Sequence, residues 1–137
     1  MKVLVQRVSR AAVRVDGAVV GEIGCGVLVF LGVERGDTSD VAGWYARRLA
    51  SMRLFPGASG TLWERTLLES GGSVLLVSQF TLAARTRKGR RPSFDPAAPP
   101  DQAERLLAAF RGVLEEQGLP VAEGRVGAPR EGALVNG

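Results

Sequence analysis

Apolar and polar positions alternate through the first part of the chain. Residues 1–8 set Val3, Val5 and Val8 among polar neighbours, with Leu4 as the exception, which is the pattern of a half-buried strand. Alternation resumes at Val13 and Val15, meets the hairpin signal Asp16-Gly17 and returns through Val19-Val20-Gly21-Glu22-Ile23 as a partner strand. Gly24 and Gly26 flank a second bend, and Val27-Leu28-Val29-Phe30-Leu31-Gly32-Val33 then reads as a core strand. The period changes at Asp37-Thr38-Ser39-Asp40, a cluster of N-cap and acidic residues suited to a helix start. Behind it Val41, Tyr45, Leu49 and Met52 recur at helical spacing, Trp44 widens the apolar stripe, and Arg47 and Arg48 fall late in the helix. A core-facing helix is predicted there, followed by a short strand at Arg53-Leu54-Phe55 that Pro56-Gly57 stops.

Residues 56–72 are irregular, with Ser59-Gly60 and Gly71-Gly72 as turn markers. Trp63, Glu64 and Thr66 are the candidates there for a pocket wall, and packing is the role expected of Trp63. The run Val74-Leu75-Leu76-Val77 predicts a strand buried on both faces, continuing to Leu82 through Ser78, Gln79, Phe80 and Thr81. Asp95-Pro96-Ala97-Ala98-Pro99-Pro100 is a stiff connector whose prolines suit a helix start. Ala103, Leu106, Leu107, Phe110, Val113 and Leu114 form the apolar stripe of that helix, which Gly118 and Pro120 end. Residues 120–126 and Ala133-Leu134-Val135 read as two further short strands. The expected fold is a single compact α/β domain with mixed or antiparallel sheets, about seven strands in barrel-like packing, and two helices.

Charge sharpens this picture because it is concentrated. Arg85, Arg87, Lys88, Arg90 and Arg91 account for more than the whole net charge of +4, so the rest of the chain is close to neutral. One basic patch of this kind points to a polyanion such as nucleic acid. Cys25 is the single cysteine, so no intrachain disulfide forms, a reducing cytoplasm is the expected setting, and the residue is expected to be small and buried. Histidine is absent, which excludes Ser-His-Asp and Cys-His catalysis and every His-based metal site. Neither a membrane-spanning apolar run nor a signal-peptide core is present, so no membrane partner is expected.

Ser78, Gln79 and Thr81 put a hydroxyl, an amide and a second hydroxyl at the end of a core strand. Fixed donors and acceptors on a rigid support are how binding and catalytic groups are held. Alone, such a triplet is the wet end of a strand, and a basic loop alone is a solvated surface. Their adjacency favours a small site beside an anionic ligand. Were such a site hydrolytic, it would need an attacking oxygen, a proton acceptor and stabilisation of an oxyanion. With no histidine as base, an unactivated Thr81 hydroxyl is a poor nucleophile. The better reading makes Thr81 and the backbone N–H groups of Phe80 and Thr81 the donors to the carbonyl oxygen.

Ser78-Gln79-Phe80-Thr81-Leu82 followed by Thr86-Arg87-Lys88-Gly89-Arg90-Arg91-Pro92-Ser93-Phe94 resembles the D-aminoacyl-tRNA deacylases. That family carries a Ser-Gln-x-Thr motif and a Thr-Arg-Lys-Gly-x-Arg-Pro-Ser-Phe loop. Val5-Gln6-Arg7-Val8, Gly21-Glu22-Ile23-Gly24, Leu31-Gly32-Val33, Ala97-Ala98-Pro99-Pro100 and the stretch from Val126 to Asn136 extend the likeness along the whole chain, in order. The resemblance implies hydrolysis of the ester joining a D-amino acid to the terminal ribose of tRNA, and removal of glycine from the wrong tRNA. It also implies a cytoplasmic homodimer with the active site at the subunit interface, no cofactor and no metal. Attack by water assisted by the ribose 2′-hydroxyl is the family's implied mechanism. Ser78 and Gln79 would then hold the adenosine end or brace the loop, Phe94 would stack on the terminal adenine, and the five basic residues would contact tRNA. Arg7 would brace the C-terminal motif of the partner subunit.

Two departures accompany the likeness. Where the family has Met-Asn-x-Ser, this chain has Trp63-Glu64-Arg65-Thr66. The family also continues into a Gly-cisPro motif that excludes L-amino acids, and no Gly-Pro pair occurs in residues 1–137, so a single domain lacking that strand, by truncation or by loss, is expected. A non-catalytic RNA-binding homodimer is the alternative reading.

Overall fold

The fold described here is that of a computed structural model, and it describes residues 1–83, 91, 93, 95–124 and 131–136. The chain opens with one long strand, β1 (Lys2–Val15), followed by β2 (Ala18–Ile23) and β3 (Gly26–Gly32). The turn between β1 and β2 is Asp16-Gly17, both at positive φ (51° and 78°), as a two-residue hairpin requires. Ile23 pairs with Ala11 and Gly26 with Val8, so β2 and β3 lie end to end along one edge of β1. β6 (Glu131–Asn136) takes the other edge, because Val8 pairs with Asn136 as well as with Gly26.

After β3 the chain forms helix α1 (Ser39–Ser51) and the short helix α2 (Leu67–Ser70), then enters β4 (Ser73–Ser78), parallel to β3. Thr38 caps α1, its hydroxyl accepting from the Val41 N–H at 3.4 Å. Helix α3 (Pro100–Glu116), with proline in its first turn, returns the chain to β5 (Val121–Glu123), parallel to β4. The sheet order is β2-β1-β3-β4-β5, with β6 on β1. Val27, Val29, Leu31, Val74 and Leu76 face the helices and pack with Leu49, Phe110 and Leu114. Leu28, Leu75 and Val77 point the other way, where Val8, Ala11, Val13 and Ile23 fold over them. That second core contains no helix residue. It exists because β2 curls back until Gly21 meets the Glu123 backbone, which nearly closes the sheet into a barrel.

The α/β class, the single domain and the barrel-like packing agree with expectation, whereas several details differ. Six strands are present among the described residues, because Arg53-Leu54-Phe55 makes only an isolated bridge, Phe55 to Arg65. Beside the two long helices stands α2, which the sequence pattern did not predict. Trp44 is 57% exposed. The buried face of α1 is Ala42, Gly43, Ala46 and Leu49, and Trp44 lies about 200° round the helix from Ala42, at 100° per residue. It stands edge-on to Tyr45, with ring centroids 5.0 Å apart. Met52, just past the helix, is also exposed. Cys25 is exposed too, since it occupies the bend between β2 and β3 and not the core.

The closure makes a stability prediction. A Cβ at Gly21 would collide with the Glu123 carbonyl and crowd Leu75 Cδ1 at 3.0 Å, whereas one at Gly112 in α3 meets nothing within 4 Å. Gly21→Ala should therefore destabilise by about 1–3 kcal/mol. Gly112→Ala should stabilise by about 0.5–1 kcal/mol. Urea melts of both variants against the parent protein measure the difference.

Candidate active site

β4 carries the polar residues to the end of the sheet and stops sooner than the pattern implied. Leu31 pairs with Ser78, and the Gln79 N–H still donates to the Leu31 carbonyl at 2.9 Å. Phe80–Ala83 then form a 3-10 turn, with the Leu82 N–H donating to the Gln79 carbonyl at 3.3 Å. Gly32 permits this turn. A Cβ there would stand 2.7 Å from Leu82 Cβ and 3.3 Å from the Gln79 carbonyl oxygen. Phe80 is 58% exposed because the turn takes it off the strand's inner face.

The turn brings Gln79 and Thr81 together. Gln79 Nε2 donates to Thr81 Oγ1 at 2.9 Å. Since that bond occupies a lone pair of the hydroxyl oxygen, the Thr81 proton is left to donate elsewhere. Gln79 is half-buried and Thr81 exposed, so the pair has one foot in the core and one in solvent. Ser78 is 7% exposed and buried at the strand end, and no buried side-chain polar atom among the described residues lacks a partner.

Of the five basic residues, Arg91 is exposed, while Arg85, Arg87, Lys88 and Arg90 lie outside the described residues, as does Phe94. The segment that follows them is tied to the loop after β3. The Arg35 N–H donates to the Pro96 carbonyl at 3.0 Å, Arg35 Nε to the Asp95 carbonyl at 2.7 Å, and the Ala98 N–H to the Val33 carbonyl at 2.9 Å. The Met1 ammonium joins the same loop, 2.9 Å from both Glu34 Oε1 and Asp37 Oδ1. Asp95 and Pro96, which follow the basic segment in the chain, are thus fixed to the loop after β3.

Arg7 is elsewhere in this subunit. It pairs with Val27, four residues along β3 from Leu31, which at about 3.3 Å per residue is roughly 13 Å from the Ser78 row. Its Nη1 donates to the Leu54 carbonyl at 3.0 Å, and its guanidinium lies over the Trp63 ring, 5.6 Å from the centroid. Trp63 is 64% exposed, against the packing role expected of it, and its φ is +61°. A bulky residue in that region carries strain on the order of 1–3 kcal/mol. The hairpin-like bonds of Phe55 with Glu64 and Arg65 hold it there. Thr66 and Glu69 close a capping box on α2, and the Thr66 backbone N–H, with the Thr66 hydroxyl, holds the Glu69 carboxyl below its ordinary value. Among the described residues no cluster of His, Cys, Asp and Glu is placed to hold a metal ion.

The sequence as a whole matches the D-Tyr-tRNA(Tyr) deacylase family over residues 4–137. The chain belongs to that family. It is 50% identical over 136 residues to a D-aminoacyl-tRNA deacylase of Geobacter sulfurreducens, a match covering 99% of this chain and 89% of that protein. A D-aminoacyl-tRNA deacylase of Thermomicrobium roseum is 51% identical over 136 residues, with 99% and 88% covered. Among solved structures, the c-Myc DNA Unwinding Element Binding Protein superposes with a TM-score of 0.91 at 34% identity, covering all of this chain and 93% of the other. A probable eukaryotic D-amino acid tRNA deacylase has the same fold, with a TM-score of 0.82 at 17% identity over 98% of this chain and 92% of that one.

In this member of the D-Tyr-tRNA(Tyr) deacylase family, residue-by-residue reading missed Gly32 as part of the site. Its signal was a glycine late in a core strand, which often marks a close backbone approach. Gly32→Ala should push the 3-10 turn off β3 and lower the deacylation rate by at least about 10-fold, since misplacing catalytic groups by about 1 Å has large effects. Circular dichroism of the folded variant and its rate on D-tyrosyl-tRNA check this; an unchanged rate would detach Gly32 from the site.

Proposed function

We propose that this chain hydrolyses the ester bond of D-aminoacyl-tRNA at the Gln79–Thr81 turn, releasing free amino acid and tRNA. Family membership supplies the reaction, and the hydrogen bond from Gln79 to Thr81 is the observation that carries the assignment of the site. Gln79 fixes the rotation of the Thr81 hydroxyl, which donates to the substrate carbonyl oxygen together with the backbone N–H groups of Phe80 and Thr81. Charge that develops on that oxygen during attack by water is thereby stabilised. The ribose 2′-hydroxyl of the substrate assists the water, as the likeness to the family implies, and the chain has no histidine to act as base. Buried Ser78 braces the turn. Arg85, Arg87, Lys88, Arg90 and Arg91 bind tRNA phosphates, and Phe94 stacks on the terminal adenine. No step calls for a cofactor or a metal. Removal of glycine from the wrong tRNA belongs to the same reading, as the likeness to the family implies.

The working unit is a cytoplasmic homodimer with each site at the subunit interface. Leu4, 53% exposed, pairs across the sheet with half-buried Phe30, on the face that carries no helix. Apolar surface next to the Phe80 turn suits a second copy of the chain. Arg7, remote from Thr81 in its own subunit, then braces the C-terminal motif of the partner subunit.

Hydrolysis of D-tyrosyl-tRNA beside L-tyrosyl-tRNA tests the reading. Turnover of the D form alone is expected, and binding of either form without turnover would favour a non-catalytic RNA-binding dimer. Thr81→Ala should lower the rate constant about 10²–10³-fold, with tRNA affinity nearly unchanged, as loss of one oxyanion donor does. Normal turnover in that variant would leave only the backbone in the mechanism.

The basic segment gives a separate prediction. Arg87→Ala with Lys88→Ala should weaken binding of all tRNAs alike and flatten the log–log salt dependence by roughly 0.7–0.9 per lost contact. An unaltered slope would make the segment a solvated surface.

A further inference from the structure

Trp63 is the feature that the proposed reaction leaves unused. It combines backbone strain, 64% exposure and a guanidinium held over its ring, three features that seldom coincide in a residue serving only the core. Burial could offset the positive φ of a core tryptophan, but most of this ring is in solvent. An observed backbone outlier that packing does not account for is a sound starting point for a functional reading. The surroundings narrow the chemistry. Arg7 stands over the ring, and Arg65, two residues further along the chain, donates to the Glu69 carbonyl at 2.6 Å. Glu64 and Glu69 oppose them, and the Glu69 carboxylate accepts the Thr66 N–H of the capping box. Leu62 beside Trp63 is 58% exposed. The result is an exposed aromatic surface with the Arg7 guanidinium stacked on it.

We propose that Trp63, backed by Arg7, is a stacking platform for an unpaired base of the tRNA 3′ strand other than the terminal adenosine. This rests on tRNA being the substrate. Aromatic faces hold unpaired bases irrespective of sequence, and the Arg7 guanidinium beside the ring complements the charge of an adjoining phosphate. A peptide partner would be expected to use specific pockets or a free sheet edge. Within one subunit Arg7 sits roughly 13 Å along the sheet from the Ser78 row, and the Trp63 indole offers the ester chemistry neither a base nor an oxyanion donor of its own. Trp63 therefore acts on affinity and substrate placement and not on the ester bond.

The protein has two tryptophans, so Trp44→Phe leaves Trp63 as the sole fluorophore. Deacylated tRNA ending in CCA, titrated into that variant, should quench the emission saturably. The same tRNA lacking its three terminal nucleotides should quench much less. Trp63→Ala should raise the KM for D-tyrosyl-tRNA by about 5- to 150-fold, the range that stacking of one base spans, with kcat nearly unchanged. Trp63→Phe should retain most of the affinity. Full D-tyrosyl-tRNA turnover without quenching, or an unchanged KM in Trp63→Ala, would overturn the platform. So would a change in oligomeric mass by sedimentation with tRNA affinity intact, which would assign Trp63 to contact between copies. Saturable quenching in a parent protein that never hydrolyses D-tyrosyl-tRNA would support the platform while removing the hydrolytic reading.

Discussion

The arrangement depends on the parallel pairing of β3 with β4. Val27, Val29, Leu31, Val74 and Leu76 are all essentially inaccessible on one face, and Leu28, Leu75 and Val77 on the other. A strand pair buried on both sides has one register that keeps both cores intact. That register puts Ser78 opposite Leu31 and delivers the Gln79 N–H to the Leu31 carbonyl. Gly32 follows at once, so the chain turns there and Thr81 comes within reach of the Gln79 amide. Apolar residues deep in the sheet thus fix the position of a hydroxyl at its edge.

The same end of the sheet holds the residues that flank the basic segment. The loop after β3 is clamped by the Met1 ammonium and in turn holds Asp95 and Pro96, so the basic segment leaves and rejoins the fold beside one strand end. The opposite end is built differently: Arg7 crosses to the Leu54 carbonyl, and Trp63 is presented outward on a bridged loop. Two ends with distinct chemistry fit a substrate that is itself extended.

Much of this was legible before any coordinates. Strands β1 to β4 follow from alternation and apolar runs, and Thr38, Pro100 and Gly118 mark helix ends where capping chemistry predicts them. What failed did so for tertiary reasons. Trp44 and Met52 fit the helical stripe of α1, but α1 packs closely against α3 and its buried face is Ala42, Gly43 and Ala46 with Leu49, so the close face excludes the larger ones. Cys25 is small and flanked by glycines, which suits a core or a bend equally, and the end-to-end placement of β2 and β3 selects the bend. Thr81 was read as part of a strand because apolar and polar residues still alternate there. Only the approach of Gly32 to Leu82, a contact between distant residues, reveals the turn.

The central claim is that Gln79 and Thr81 act as one unit, the amide aiming the hydroxyl. Single-turnover hydrolysis of D-tyrosyl-tRNA at saturating enzyme by Gln79→Ala, Thr81→Ala and the double variant tests it directly. Residues that act through one hydrogen bond are non-additive, so the double variant should be no slower than the slower single one. Rate losses that multiply would show that the two side chains work independently, and the hydrogen bond between them would then have no part in catalysis.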